Sequence, residues 1–237
     1  FEIMRDSHPK AYDCLLDISL TRLAIRTHSM NRKITRISKG TVLAPERHQD
    51  NVFSQIWKKI SGLENKRPPS AIEAVKKLPK IKKADPIDIK TIVSMMTPKL
   101  IPKGTSVILE GEIGNTCHLL VEGCVEVYRN VRGGKAHLLA LLYPGALLGT
   151  GALLLKERRN ASCVASKNTD VWVYEMDRKS FNGLQGSAGR LWREALLHSL
   201  AFQLRVADET IVKLEQGERP VSTDYDQVRK SLTGFQG

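Results

Sequence analysis

Apolar residues in the first third of the chain recur with the spacing of amphipathic helices. This spacing predicts helices over residues 9–37 and 46–62, and in the second of these apolar residues fall at every fourth position. Two shorter helices are predicted over residues 70–75 and 86–96, and Pro86 suits the first position of the latter. We therefore expect the N-terminal part of the chain to be a helical region.

The period changes near Lys99, where short stretches begin to alternate between apolar and polar positions. Glycines separate these stretches at intervals of about ten residues, which is typical of an antiparallel β-barrel or sandwich. The predicted strands cover residues 106–110, 117–122, 124–128, 136–142 and 170–176.

Helical spacing returns after Asp177 and predicts a long amphipathic helix over residues 189–216. The residues from Gly217 onward are mostly polar, and we expect them to be loosely ordered. The predicted fold class is α+β, with a helical N-terminal region, an antiparallel β-roll and a long C-terminal helix. The corresponding predicted boundaries are 1–97, 98–185, 186–216 and 217–237.

The formal net charge of +12 is concentrated in one segment of the chain. Residues 58–103 hold 12 Lys and Arg against four acidic residues. Such a segment fits an anionic membrane surface or an acidic partner, and a solvated linker face is the alternative. Nucleic acid is a less favoured partner, because few aromatic residues are interleaved for base stacking.

Several classes of chemistry find no support in the sequence. The four cysteines form no C-x-x-C pair and the six histidines are scattered singly, so neither a metal site nor a disulfide framework is predicted. No Ser/His/Asp arrangement, P-loop or dinucleotide fingerprint is present, so we do not expect an enzyme. The uncharged residues 136–155 are long enough for a membrane span, but Pro144 and Gly145 at their centre favour strand, turn and short helix.

The first residues, FEIMRDSHPK, lack the apolar stretch of a secretory signal and do not begin with methionine. We therefore expect the chain to be a piece of a longer protein.

Four motifs resemble those of cyclic-nucleotide-binding domains. Residues 103–115, KGTSVILEGEIGN, are similar to the opening turn of that family, and residues 119–128 are similar to its L-x-x-G-x-V-x-V-Y hairpin. Residues 143–154, YPGALLGTGALL, resemble its phosphate-binding cassette, and residues 158–162, RRNAS, resemble the end of that cassette. The resemblance implies a β-roll of the jelly-roll type that serves as a regulatory sensor.

The resemblance also implies a binding site for cAMP or cGMP, with no metal and no further cofactor. Amides at the start of a short helix would hold the phosphate oxygens, and a guanidinium would pair with the negative charge. Leu148 and Cys163 would line the purine side. The implied ligand-binding residues are Gly149, Thr150, Gly151, Ala152, Arg159, Asn160 and Ser162.

The residues of this site would have different roles. Gly149, Gly151 and Ala152 would form the cradle for the phosphate, because small residues allow close approach of the backbone. Arg159 would be the phosphate ligand, and Asn160 or Ser162 would add a polar contact.

Thr150 stands where the family has a glutamate that accepts the ribose 2′-hydroxyl. Loss of a charged acceptor costs about 1.5–3 kcal/mol, which is roughly a ten- to hundredfold loss of affinity. The sequence leaves open a site that binds weakly and a site that has lost its ligand.

The flanks of the predicted β-roll resemble the cytosolic tail of plasma-membrane Na⁺/H⁺ antiporters of the plant salt-tolerance and sperm types. The resemblance is carried by residues 191–204, LWREALLHSLAFQL, and by the basic residues 66–80. It implies a regulatory tail at the cytosolic face of the plasma membrane, a transmembrane transport domain in the same chain, and a homodimer.

The alternatives are the sensing domain of a cyclic-nucleotide-gated channel or of a kinase regulatory subunit. A Crp-type transcription factor would need a helix-turn-helix after the long helix, where only a short polar segment remains.

Overall fold

The computed structural model describes residues 2–37, 42–43, 66–131 and 135–217. The helix predicted over residues 46–62 lies outside this part of the chain, as does the tail predicted over residues 217–237 except for Gly217. The helices are α1 (Glu2–Ser7), α2 (Pro9–Ile37), α3 (Ala71–Lys76), α4 (Pro86–Ser94), α5 (Thr150–Leu155), α6 (Arg178–Gly183) and α7 (Gly186–Glu215). The strands are β1 (Val42–Leu43), β2 (Thr97–Ile101), β3 (Ser106–Ile108), β4 (Thr116–Glu122), β5 (Val125–Val131), β6 (Lys135–Leu142), β7 (Leu147–Leu148), β8 (Ser162–Ala165) and β9 (Val171–Asp177).

The strands form two antiparallel sheets. One sheet has the order β1-β6-β5-β8-β3 and the other has the order β2-β9-β4-β7. Apolar residues from both sheets, among them Leu120, Val125 and Val173, pack into one buried cluster between them. Together with the flanking helices, this arrangement confirms the α+β class with an antiparallel β-roll and a long C-terminal helix.

The four-stranded sheet also supports the helices on its other face. Because successive side chains of a strand point to opposite faces, Leu119 and Met176 face away from the roll interior. They share a second buried cluster with Leu20 of α2 and with Trp192 and Leu196 of α7. The helices and the sheet therefore form one continuous core.

Local signals explain where the shorter helices begin. The Ser70 hydroxyl accepts a hydrogen bond from the Glu73 amide at 3.4 Å and caps α3. The Asp85 carboxylate caps α4 by accepting from the Ile87 amide at 2.8 Å, and Pro86 occupies the first helical position.

Four strands were not predicted from the sequence, namely the two-residue strands β1 and β7 and the longer strands β2 and β8. β2 contains Pro98 and pairs on one side with β9, as expected for proline in an edge strand. β8 has four consecutive buried residues and therefore shows no alternation. In both cases the pairing partner, and not the local pattern, produces the strand.

The uncharged residues 136–155 fold as most of β6, then β7 and α5, in agreement with the predicted strand, turn and short helix. Across the described ranges, no helix combines the length and the apolar character that a membrane crossing requires.

The two long helices, α2 and α7, pack against each other. The Tyr12 hydroxyl donates to Glu194 at 2.8 Å, and Arg193 contacts Asp17 at 3.0 Å. Near their far ends, Ile34 of α2 and Ala207 and Ile211 of α7 form a small buried cluster. This pairing positions both helices beside the β-roll.

Candidate functional site

A cavity lies between the β-roll and the paired helices α2 and α7. The roll contributes apolar side chains, including Ile108, Leu148 and Cys163. The segment that carries α5 contributes residues 149–152, and Arg159 and Asn160 follow it. The helices contribute Asn31 and Ile34 from α2, and Leu200, Gln203, Val206, Ala207 and Thr210 from α7.

Arg159 is the charged residue of this cavity. Its side chain is held by neutral oxygens: Nη1 donates to the Gly149 carbonyl at 2.7 Å, and Nη2 donates to the Thr116 carbonyl at 2.7 Å and to its hydroxyl at 2.8 Å. The residue is 7% exposed, and burial lowers the pKa of its guanidinium. A guanidinium nevertheless stays charged at neutral pH. Among the described residues, no carboxylate forms an ion pair with it.

Gly149 is required at its position for two reasons. Its φ of +73° lies in the left-handed region that side chains disfavour. A Cβ atom there would also collide with Nη1 of Arg159 and would lie 2.9 Å from Cδ1 of Ile108. The glycine of the cassette motif therefore makes room for the guanidinium. Next to it, the first-turn amides of α5 have no partner within the helix.

Thr150 has a buried hydroxyl without a partner. The residue is 2% exposed and lines the cavity, and its Oγ1 makes no hydrogen bond within the described part of the chain. A buried polar atom of this kind costs free energy unless a ligand or water satisfies it. A hydroxyl can donate as well as accept, whereas the glutamate of the resembling domains only accepts when ionised.

The structure brings the predicted ligand residues together at the cavity, with one exception. Gly149, Thr150, Gly151, Ala152, Arg159 and Asn160 all line it, as do Leu148 and Cys163.

Ser162 is not among the lining residues. Its hydroxyl accepts a hydrogen bond from the Glu110 amide at 3.0 Å. Neighbouring residues of β8 alternate in direction, so Cys163 faces the cavity and Ser162 contacts the adjoining backbone. Of the two polar contacts expected after Arg159, Asn160 alone lies at the cavity.

Sequence reasoning missed the polar residues that the long helices contribute. Asn31, Gln203 and Thr210 line the cavity, and Nε2 of Gln203 donates to the Leu147 carbonyl at 3.1 Å. A weak signal was available, because Gln203 follows the apolar stripe of α7 at helical spacing from Leu196 and Leu200. Which face of each helix covers the cavity depends on how α2 and α7 pack.

A second cluster of titratable side chains lies in the four-stranded sheet, on β2, β4 and β9. His118 is 4% exposed, and its Nε2 lies 2.9 Å from Oε2 of Glu175, while Nζ of Lys99 lies 2.7 Å from Oε1 of the same carboxylate. Burial lowers the pKa of His118 below its ordinary value. The hydrogen bond from His118, supported by Lys99, lowers the pKa of Glu175 to about 2. None of these three residues lines the cavity.

Metal chemistry has no visible support in the described ranges. There, no three or more His, Cys, Asp or Glu side chains are grouped so that they could hold a metal ion.

Comparison with protein families gives a match to the cyclic nucleotide-binding domain over residues 98–187. Two curated relatives illustrate the similarity. The chain is 34% identical over 86 residues to the cyclic AMP receptor protein of Thermus thermophilus, a match that covers 36% of this chain and 40% of that protein. It is 30% identical over 183 residues to mouse cGMP-dependent protein kinase 2, which covers 76% of this chain and 21% of the kinase. The chain thus spans less than half of either relative.

Among solved structures, the chain is similar to a cyclic nucleotide-binding domain from Methylobacillus flagellatus. The TM-score is 0.55 at 22% identity, and the match covers 60% of this chain and 80% of that one. This likeness shows the fold.

Proposed function

We propose that this chain, whose residues 98–187 match the cyclic nucleotide-binding domain, is a regulatory module that binds a cyclic nucleotide in the cavity beside α2 and α7. The named relatives include a cyclic AMP receptor and a cGMP-dependent kinase, which supports a nucleotide as the ligand class. The module senses a ligand and does not transform it, because the cavity offers a cation, amides and neutral hydrogen-bonding groups.

The observation that carries this proposal is the state of Arg159. Its buried guanidinium is bonded to the neutral oxygens of Gly149 and Thr116 and lies at a cavity. A buried charge without a counter-charge is unfavourable, and an anion in the cavity would supply that counter-charge. A cyclic phosphate carries one negative charge and exposed oxygens, which suit a guanidinium and the adjacent amides.

The walls of the cavity give the module a way to report binding. α2 and α7 both line it, so a ligand contacts helices that lie outside the roll itself. If α2 and α7 can adopt two arrangements, a ligand that binds one of them more tightly increases the population of that arrangement. The size of this shift is set by the difference between the two affinities. We propose that the position of α2 and α7 is the output of this sensor.

The setting of the module in a longer protein remains a proposal with two candidates. The flanking segments 66–80 and 191–204 support the tail of a Na⁺/H⁺ antiporter at the cytosolic face of the plasma membrane, joined to a transmembrane transport domain and working as a homodimer. A kinase-type regulator is favoured by the 183-residue similarity to the cGMP-dependent kinase, which extends beyond the β-roll. The coding sequence on either side of this segment distinguishes the two, through either transport helices or a kinase domain.

Calorimetric titration of the 237-residue chain with cAMP and with cGMP tests the proposal. We expect saturable binding of at least one nucleotide and about a ten- to hundredfold loss of affinity in Arg159→Ala. Arg158→Ala is the matched control, because its neighbouring guanidinium donates to the Gly111 carbonyl and does not line the cavity.

Folding of each variant is followed by thermal unfolding, since Arg159 also bonds the backbone at Gly149 and Thr116. If Arg159→Ala unfolds, the rise in melting temperature of the unsubstituted chain with added nucleotide decides the question. Absence of both heat and a melting shift at millimolar nucleotide, or an equal loss in Arg158→Ala, would contradict the proposal.

A further inference from the structure

Five exposed lysines and an exposed isoleucine lie on the α3–α4 region. We call Lys77, Lys80, Lys82, Lys83 and Lys90, with Ile87, the lysine surface. It lies on the segment that joins α3 to α4 and on α4 itself. This surface takes no part in the cavity.

The opposite side of the same segment is firmly packed. Val75, Leu78, Ile81, Ile89 and Ile92 are buried in the core cluster that also contains residues of α7. The segment is therefore anchored through its apolar side chains, and the lysines are held outward. α4 is tied to α7 in addition by the Ser187 hydroxyl, which donates to Asp88 at 2.7 Å.

The acidic residues of the described segment 66–103 are engaged elsewhere. Glu73 pairs with Lys76 at 3.2 Å, Asp85 caps α4, and Asp88 accepts from Ser187. Within the described ranges, no ion pair reaches Lys80, Lys82, Lys83 or Lys90. The Asp85 and Asp88 carboxylates stay negative in these hydrogen bonds, but the five lysines outnumber them, so the lysine surface keeps a net positive charge.

Ile87 lies in the first turn of α4 and is 71% exposed. A large exposed apolar side chain on a segment that carries five exposed lysines suits a lipid interface, where the isoleucine enters the acyl boundary and the ammonium groups stay at the headgroups. A solvated linker face would gain nothing from an isoleucine at this position.

We propose that the lysine surface binds the anionic headgroups of a membrane, with Ile87 inserted between them. Juxtamembrane lysines are each worth about fivefold in affinity for an anionic leaflet. Nucleic acid fits less well, because residues 66–103 contain no aromatic side chain for stacking and carry lysine in place of arginine at all basic positions except Arg67. The proposal does not depend on a ligand in the cavity.

The test is co-sedimentation of the 237-residue chain with vesicles of phosphatidylcholine alone and with vesicles that also contain phosphatidylserine. We expect binding to the anionic vesicles, loss of binding at high salt, and about a tenfold or greater drop in K82E/K83E. K167E/K179E is the matched control, because it changes the net charge equally at two exposed lysines on another part of the chain.

Ile87→Ala separates insertion from simple charge attraction. We expect about a fivefold loss that persists across salt concentrations, because an apolar contact is not screened. The side chain is mostly exposed, so the melting temperature of this variant should match that of the unsubstituted chain.

Equal binding to both kinds of vesicle would overturn the proposal, as would equal losses in K82E/K83E and K167E/K179E. Binding to duplex DNA or to an acidic peptide, without binding to anionic vesicles, would assign the lysine surface to another class of partner and would also overturn it.

Discussion

Two charged side chains in the same β-roll, Glu175 and Arg159, show opposite arrangements. The Glu175 carboxylate lies 2.9 Å from Nε2 of His118 and 2.7 Å from Nζ of Lys99, so its negative charge is paired within the protein. Arg159 is buried, and its partners are the neutral oxygens of Gly149 and Thr116. The charge of Glu175 is therefore paired within the protein, although Nδ1 of His118 has no hydrogen-bond partner in the described residues, whereas Arg159 forms no ion pair there.

This difference separates a structural cluster from a binding site. Perturbed pKa values and burial occur at both places, so neither property identifies the site by itself. What distinguishes Arg159 is that, in the described residues, no carboxylate forms an ion pair with it, that it lines a cavity, and that the Thr150 hydroxyl of the same cavity has no hydrogen-bond partner there. We call Glu175, His118 and Lys99 the closed cluster, and Arg159 with its cavity the open site. The closed cluster should therefore affect stability, and the open site should affect ligand binding.

The largest expected effect comes from Gly149→Ala, which places a methyl group against the Arg159 guanidinium. The left-handed backbone costs about 1–2 kcal/mol, and overpacking against Arg159 and Ile108 adds about 1–3 kcal/mol. Displacement of the guanidinium should also abolish nucleotide binding. Gly183→Ala is the control, because a Cβ atom there meets nothing within 4 Å and the residue does not line the cavity. Urea unfolding and calorimetry measure the two effects, and equal behaviour of the two variants would refute this account of Gly149.

Glu175→Ala removes the carboxylate that pairs with His118 and Lys99. We expect a loss of about 1.5–3 kcal/mol in the free energy of unfolding, because His118 and Lys99 lose a charged hydrogen-bond partner. Nucleotide affinity should stay within a factor of about 2, since the carboxylate does not line the cavity. Urea denaturation and calorimetry on the same samples check this prediction. If Glu175→Ala loses nucleotide affinity but not stability, the assignment of Glu175 to a structural role is wrong.

Thr150→Glu places in the cavity a carboxylate that can accept a hydrogen bond from the ribose 2′-hydroxyl. Because the resembling domains have glutamate at this position, we expect about a ten- to hundredfold gain in affinity for cAMP or cGMP.

Thr150→Val is the matched control for this substitution. It removes a hydroxyl that has no partner in the described residues, so stability should change by less than about 1 kcal/mol. Calorimetry decides between the two, and weaker binding by Thr150→Glu than by the unsubstituted chain would show that ribose does not approach Thr150.

The smallest effect is the response to pH. The folded pKa of Glu175 is about 2, below its ordinary 4.5, so its stabilising contribution is present above pH 4.5 and is lost as the pH falls toward 2. Burial lowers the pKa of His118, so its protonation in the unfolded chain also reduces stability as the pH falls below 6.5.

Nucleotide affinity should not follow this trend between about pH 6.5 and 5, since Arg159 stays charged throughout. Urea midpoints and calorimetry over this range and below it check the prediction. In Glu175→Gln the loss of stability between pH 4.5 and 2 should shrink, and an unchanged slope there would assign it to other groups.

The cassette was identifiable from the sequence because its chemistry is local. Gly149, Thr150, Arg159 and Asn160 lie within a short stretch, and a strand, a tight turn and a short helix bring them to one cavity. The direction of Ser162 was not identifiable, because it depends on the register of β8 against β3 and β5.

The alternation of apolar residues, the glycine turns and the helical spacing of α2 and α7 determine the β-roll and its flanking helices, because backbone sterics and side-chain burial act over a few residues. The tertiary structure decides which helix faces enclose the cavity, so the roles of Asn31 and Gln203 appear only when α2 packs on α7. It also decides that Glu175 meets His118 and Lys99 while Arg159 meets no carboxylate of the described chain. Strand register decides which charged residues that are far apart in sequence form pairs. The local sequence pattern does not contain this information.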